Sequence, residues 1–139
     1  FPDELVEPIT RLVTNSVSCT AAFSQMAAMA AIQAPQEPVY SMVAEFKQRR
    51  DILVDGLNAI PGISCPMPKG AFYAFPNISG TGLTSQDFEA RLLNETGVSI
   101  LAGTSFGAFG EGYARFSFAN SQDNLREALR RIGEWVPTL

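Results

Sequence analysis

Residues 97–121 read GVSILAGTSFGAFGEGYARFSFANS. Val98–Leu101, with the β-branched Val98 and Ile100, predicts a strand. A glycine-rich stretch follows, Gly103 to Gly112, and then a second predicted strand, Tyr113–Phe118. Parallel neighbours need a crossover of a dozen or more residues, usually a helix. Here a loop joins the two, so they are expected to run antiparallel. Strand side chains alternate between faces. Tyr113, Arg115 and Ser117 therefore share one face, while Ala114, Phe116 and Phe118 share the other. The apolar set belongs in a core, which turns Arg115 away from it.

Working outward, Ser121 is placed to cap a final helix carrying Leu125, Ala128, Leu129 and Ile132 on one face, with Pro137 just past it. Upstream, Thr84 is expected to cap a helix through Glu95, with Asp87 completing an approximate capping box and Gly97 ending the helix. Phe88 and Leu92 share its inner face. Ala71–Phe75 and Ile63–Cys65 are further strand candidates. From Val39 to Leu57 the apolar residues Met42, Phe46, Leu53 and Leu57 recur at helical spacing, which predicts the longest helix, closed by Pro61-Gly62. Pro35 and Pro38 separate it from an alanine-rich helix that Thr20 is expected to cap and that runs to about Gln33. Leu5, Ile9 and Leu12 suit a short helix despite Pro8, followed by a polar connection at Thr14, Asn15, Ser16 and Ser18. The order predicts an α+β fold, a small, mostly antiparallel sheet covered by helices on one side and preceded by a long connecting helix.

The 139 residues suit a modest core. Ten basic against fourteen acidic residues leave a formal charge of -4, which argues against a nucleic-acid or anionic-membrane surface. The absence of histidine removes Ser-His-Asp and Cys-His catalysis and histidine-ligated metal sites. Cys19 and Cys65 form no CxxC pair and no disulfide framework, so a reducing compartment, the cytoplasm, is expected. No apolar run is long enough to span a bilayer. The chain opens on Phe1 rather than Met, and we read it as a piece of a longer protein.

Spacing alone leaves two readings of Arg115. One is a solvated arginine on the open face of a half-buried strand, and spacing favours it. The other is a guanidinium that binds a carboxylate in its planar fork, held rigidly by the strand. The glycine loop runs into a strand rather than a helix and lacks Gly-Lys-Ser/Thr, so phosphate cradling is rejected. Lys47 and Lys69 are read as surface lysines rather than Schiff-base nucleophiles. Glu111, Asp87 and Glu89 offer no catalytic carboxylate pair. Phe72, Tyr73 and Phe75 are read as core and strand packing, although Tyr73 alternates away from Phe72.

Taken together, RRDILVDGLNAIPGISCPMPKGAFYAFP (49–76), GVSILAGTSFGAFGEGYARFSFANS (97–121) and DNLREALRRI (123–132) resemble the C-terminal part of class I/II aminotransferases, the fold-type I, aspartate-aminotransferase-like enzymes that use pyridoxal phosphate. The resemblance covers essentially the whole chain. It implies that residues 1–35 are a helical segment from the junction with a large domain. Residues 36–139 would form the small C-terminal domain, with a long helix, 38–58, leading in. Arg115, followed by Ser117, matches the family arginine that binds the substrate α-carboxylate. The family's cofactor lysine, and the groups that hold the cofactor ring and phosphate, lie upstream of this chain. No catalytic, cofactor-binding or metal-ligating residue is therefore assigned within it, and the isolated chain is expected to be inactive. The implied parent is a homodimeric transaminase of amino-acid metabolism, acting on an L-amino acid and a 2-oxo acid and partnered here by the missing large domain. The stretch TNSVSCTAAFSQ (14–25) corresponds to a region near the neighbouring subunit's site, so Asn15, Ser16 and Ser18 are candidate partner contacts. One departure is Ala102-Gly103, where the family often has Pro-Gly. A related lyase or decarboxylase, or a non-catalytic α+β binding module, stands as the alternative.

Overall fold

The computed structural model describes residues 2–139. The chain divides into two compact units, Phe1–Pro38 and Val39–Leu139.

The first unit holds two helices, α1 (Val6–Ser16) and α2 (Ala22–Gln33). Of the polar residues expected to form a connection, Thr14, Asn15 and Ser16 instead extend α1, and Ser18 lies beyond it as expected. Thr10, Thr14, Asn15 and Ser16 each donate a side-chain hydrogen bond to the carbonyl four residues back, at 2.7–2.8 Å. Their side chains thereby stay on the helix rather than competing with it. Thr20 does not cap α2. The flanking residue is Ala21, and Thr20 offers its carbonyl to the Gln25 side-chain amide.

In the second unit the long helix α3 (Glu37–Asn58) turns Leu53, Val54 and Leu57 into the core, while Met42 at its start is exposed. The sheet has three strands, β1 (Tyr73–Ala74), β2 (Leu101–Ala102) and β3 (Ala114–Ser117), in the order β1-β3-β2 with both pairings antiparallel. Tyr73 faces Ser117 and Leu101 faces Arg115 across the ladders. Helices α4 (Ser85–Thr96) and α5 (Gln122–Trp135) complete the unit. Their caps form as expected: Thr84 accepts from the Asp87 N–H at 3.1 Å and Ser121 from the Asn124 N–H at 3.2 Å. Gly97 ends α4 with φ of +74°, a left-handed conformation that suits glycine.

The strands are shorter than their sequence windows, for local reasons. Ile63–Cys65 yields only a bridge between Ser64 and Asn77. The Asn58 side chain takes both the Cys65 N–H (2.7 Å) and the Cys65 carbonyl (2.9 Å), so no ladder can continue there. β1 is confined between Ala71, at φ +58°, and Pro76, which has no N–H to donate. β2 begins only at Leu101, and at the start of the expected window the Val98 N–H is taken by the Thr96 hydroxyl at 3.2 Å.

The core is one cluster. Phe116 from β3 and Phe118 just past it meet Leu53 and Leu57 of α3, Phe88 and Leu92 of α4, and Ile132 and Trp135 of α5. Phe88 is fully buried, with its ring 5.4 Å from Trp135 in an edge-on arrangement. Each buried aromatic of this kind contributes heavily through area and shape.

Candidate functional site

The site lies on the face of the sheet turned away from the buried Ala114 and Phe116. Arg115 stands in the central strand, its neighbours Ala114 and Phe116 buried beneath it. Its guanidinium carbon lies 4.2 Å from the centre of the Tyr73 ring and 4.4 Å from that of Phe106. Both distances are well inside cation–π range. Tyr73 reaches it diagonally from β1, and Phe106 comes from the glycine-rich loop. Beside them Phe75 stacks on Tyr113 at 5.5 Å, with 14° between planes, and Phe106 meets Phe75 edge-on at 6.1 Å. The sheet thus presents an aromatic surface with one cation set into it.

The polar bonding of that cation is unusual for this molecule. Three other arginines are half-buried, and each has a carboxylate: Arg49 with Glu45 at 2.8 Å, Arg50 with Asp51 at 2.7 Å and Arg91 with Glu95 at 2.7 Å. Among the described residues Arg115 has neither an ion pair nor a side-chain hydrogen bond, although it is equally half-buried. With both rings placed at its central carbon and no acceptor on its nitrogens, the N–H edge of Arg115 is available to a ligand. That edge matches a carboxylate in a bidentate pair.

The loop bearing Phe106 is fixed by α4. The buried Ser85 hydroxyl donates to the Gly110 carbonyl and accepts from the Tyr113 N–H, both at 3.2 Å. The Ser85 N–H donates to Glu111 at 2.9 Å, and the Ala102 N–H donates to Glu89 at 2.8 Å. Inside the loop the backbones of Gly103 and Gly110 touch so closely that a Cβ on either would overlap the other's carbonyl. Only glycine allows that approach. The three carboxylates considered from sequence are accounted for here: Glu89 and Glu111 anchor backbone N–H groups, and Asp87 accepts the Thr84 hydroxyl at 2.7 Å.

Lys47, on α3, and Lys69, in the loop before β1, are both exposed. Asn15 and Ser16 bond within α1, and Ser18 sits at φ +59° just beyond it. The sequence reads Tyr73 as core and strand packing and does not single out Phe106. Tyr73 carried a signal, since alternation sets it opposite to Phe72. Phe106 had none, because a loop has no period. Among the described residues no three His, Cys, Asp or Glu side chains converge as a metal site would require, and no helix is long and apolar enough to cross a membrane.

The sequence profile described as "Aminotransferase class I and II" matches residues 2–132. The chain belongs to this family. An aspartate aminotransferase of Pyrococcus horikoshii is 41% identical over 133 residues, covering 94% of this chain and 34% of the relative. A probable N-acetyl-LL-diaminopimelate aminotransferase of Bacillus subtilis is 40% identical over 135 residues, covering 97% of this chain and 34% of its own length. Among solved structures, an aromatic aminotransferase from Pyrococcus horikoshii superimposes with a TM-score of 0.91 at 34% identity, over 99% of this chain and 37% of that one. The Rhizobium meliloti aspartate aminotransferase gives 0.89 at 34% identity, over 98% and 36%. The chain therefore spans about a third of the length of the aminotransferases it matches. As a fragment it fits their C-terminal domain, and its three-stranded antiparallel sheet with helices is the fold they share over that region.

Proposed function

We propose that this chain is the substrate-carboxylate half of a pyridoxal-phosphate-dependent aminotransferase that transfers an amino group between an L-amino acid and a 2-oxo acid, and that Arg115 binds the α-carboxylate. The observation that carries the reading is the half-buried guanidinium of Arg115, set against two rings and with no carboxylate partner among the described residues. A carboxylate seated on such a fork is held in one plane, and orientation of a reactant can supply much of a rate enhancement.

The residues of this chain do not fit the cofactor. An amine that reacts with a carbonyl must lose its proton near neutral pH, which requires burial or a neighbouring cation. Both lysines are exposed, and neither makes a hydrogen bond or ion pair among the described residues. In this reading the cofactor, which supplies the electron sink for the reaction, belongs to the large domain outside this chain. The chain alone is then inactive. Residues 1–35 form the junction with that domain and 36–139 the small domain, and the parent is a cytoplasmic homodimer. The reduced thiols, Cys19 exposed and Cys65 buried, are compatible with a reducing compartment.

The test is an absorption spectrum of the full-length protein loaded with pyridoxal phosphate, before and after a panel of L-amino acids. Conversion of the cofactor to its amine form, reversed by a 2-oxo acid, is the expected result and ranks the substrates. A cofactor that binds but never converts overturns transamination in favour of lyase or decarboxylase chemistry. No cofactor binding at all overturns the enzyme reading.

A further inference from the structure

We propose that Tyr73 and Phe106 are positioning residues, a pair of aromatic jaws that hold Arg115 edge-on to its ligand. The proposal rests on the carboxylate reading of Arg115 and adds what gives that arginine its geometry.

An arginine side chain has several rotatable bonds and loses considerable freedom when it is fixed. Hydrogen bonds to neighbouring acceptors would restrict it, but those bonds would also consume the N–H groups a ligand needs. The site restricts it differently. Tyr73 at 4.2 Å and Phe106 at 4.4 Å offer ring faces to the cation and take no N–H. Neither jaw stands alone. The Tyr73 ring is backed by Phe72 at 4.3 Å and Phe106 by Phe75 at 6.1 Å. Phe106 also rides on a loop whose base is fastened by the Gly103–Gly110 contact and by Ser85. Phe106 itself remains half exposed, so its ring is not there to fill the core. A guanidinium kept in this way binds a planar anion in its own plane and has little ordering left to lose when it does so.

The experiment measures equilibrium binding to the full-length protein of the α-methyl derivative of L-alanine, L-aspartate or L-phenylalanine, whichever binds most tightly, which has no α-hydrogen to lose and so is not transaminated, and of the α-carboxamide of the same derivative. The proteins are wild type, Tyr73→Phe, Tyr73→Leu, Phe106→Leu and Arg115→Gln. Loss of one ring is expected to weaken the amino acid roughly three- to tenfold, in line with single cation–π contacts. The carboxamide should change much less, and Tyr73→Phe, which keeps its ring, should match wild type. Leucine variants that bind both ligands like wild type, beside an Arg115→Gln that loses the amino acid, overturn the jaws and leave the carboxylate reading standing. Leucine variants that weaken acid and amide equally also overturn the jaws, since that is general loosening of the site. An Arg115→Gln that still discriminates acid from amide as wild type does defeats the underlying reading, and the jaws with it. If Tyr73→Leu does not fold, Phe106→Leu carries the same comparison.

Discussion

The guanidinium carbon of Arg115 lies over the ring of Tyr73, 4.2 Å from its centre, although the two residues are diagonal rather than opposite in the β1–β3 ladder. Arginine brings to such a contact a flat, delocalised cation, which lysine does not have. Arg115→Lys therefore keeps the charge and loses both the stack and the fork. We predict that in the full-length protein it lowers kcat/KM by roughly ten- to a hundredfold, the scale of one or two charge-assisted bonds. Steady-state kinetics check this, and a lysine variant matching wild type contradicts it.

The backbone contact between Gly103 and Gly110 sets a steep local constraint. A methyl group at Gly110 would overlap the Gly103 carbonyl, and backbone cannot swing aside as a side chain can. Gly110→Ala is expected to destabilise the chain by about 1–3 kcal/mol, as overpacking does. Gly70→Ala is the control. A Cβ there meets nothing within 4 Å, so its effect should stay within about 0.5 kcal/mol. Urea denaturation of the two variants gives the comparison.

Phe88 is the fully buried ring against which Trp135 packs edge-on. Phe88→Ala should cost about 3–5 kcal/mol through lost burial and the cavity left behind. Trp135 is the only tryptophan, so its emission reports the same change. The midpoint of denaturation should fall, and the native emission should shift to the red as water reaches the indole.

On α5 the Arg130 and Arg131 side chains hydrogen-bond Glu127 and lower its pKa from 4.5 to about 2. A carboxylate whose folded pKa is depressed stabilises the fold above its unfolded value and loses that contribution as the pH falls through the folded one. Thermal stability should therefore decline between about pH 4.5 and pH 2, in part through this group. Its exposure keeps the effect modest. Glu127→Gln should flatten that portion of the Tm profile, and an unchanged profile contradicts the assignment.

What the sequence disclosed follows from where periodic signals exist. The caps at Thr84 and Ser121, the antiparallel pairing across the glycine loop and the outward direction of Arg115 all rest on local rules that tertiary packing did not overturn. Strand ends were less legible, because side chains such as Asn58 and Thr96 took backbone groups that a ladder would have used. The polar run at the end of α1 read as a connection, since in sequence a serine that bonds back to its own helix looks the same as one in a turn. Of the site, one jaw was half visible through alternation. The other lies in a loop whose shape is set by two glycines that touch across six intervening residues, a contact no periodicity encodes.

The proposed function stands on Arg115 binding the substrate's α-carboxylate. The most direct measurement is kcat/KM of the full-length protein, wild type against Arg115→Ala, with the amount of bound cofactor determined in parallel. The account predicts a fall of roughly a hundredfold or more in kcat/KM, the cost of losing a bidentate charged pair, with a higher KM and cofactor content unchanged. An unchanged kcat/KM would contradict it.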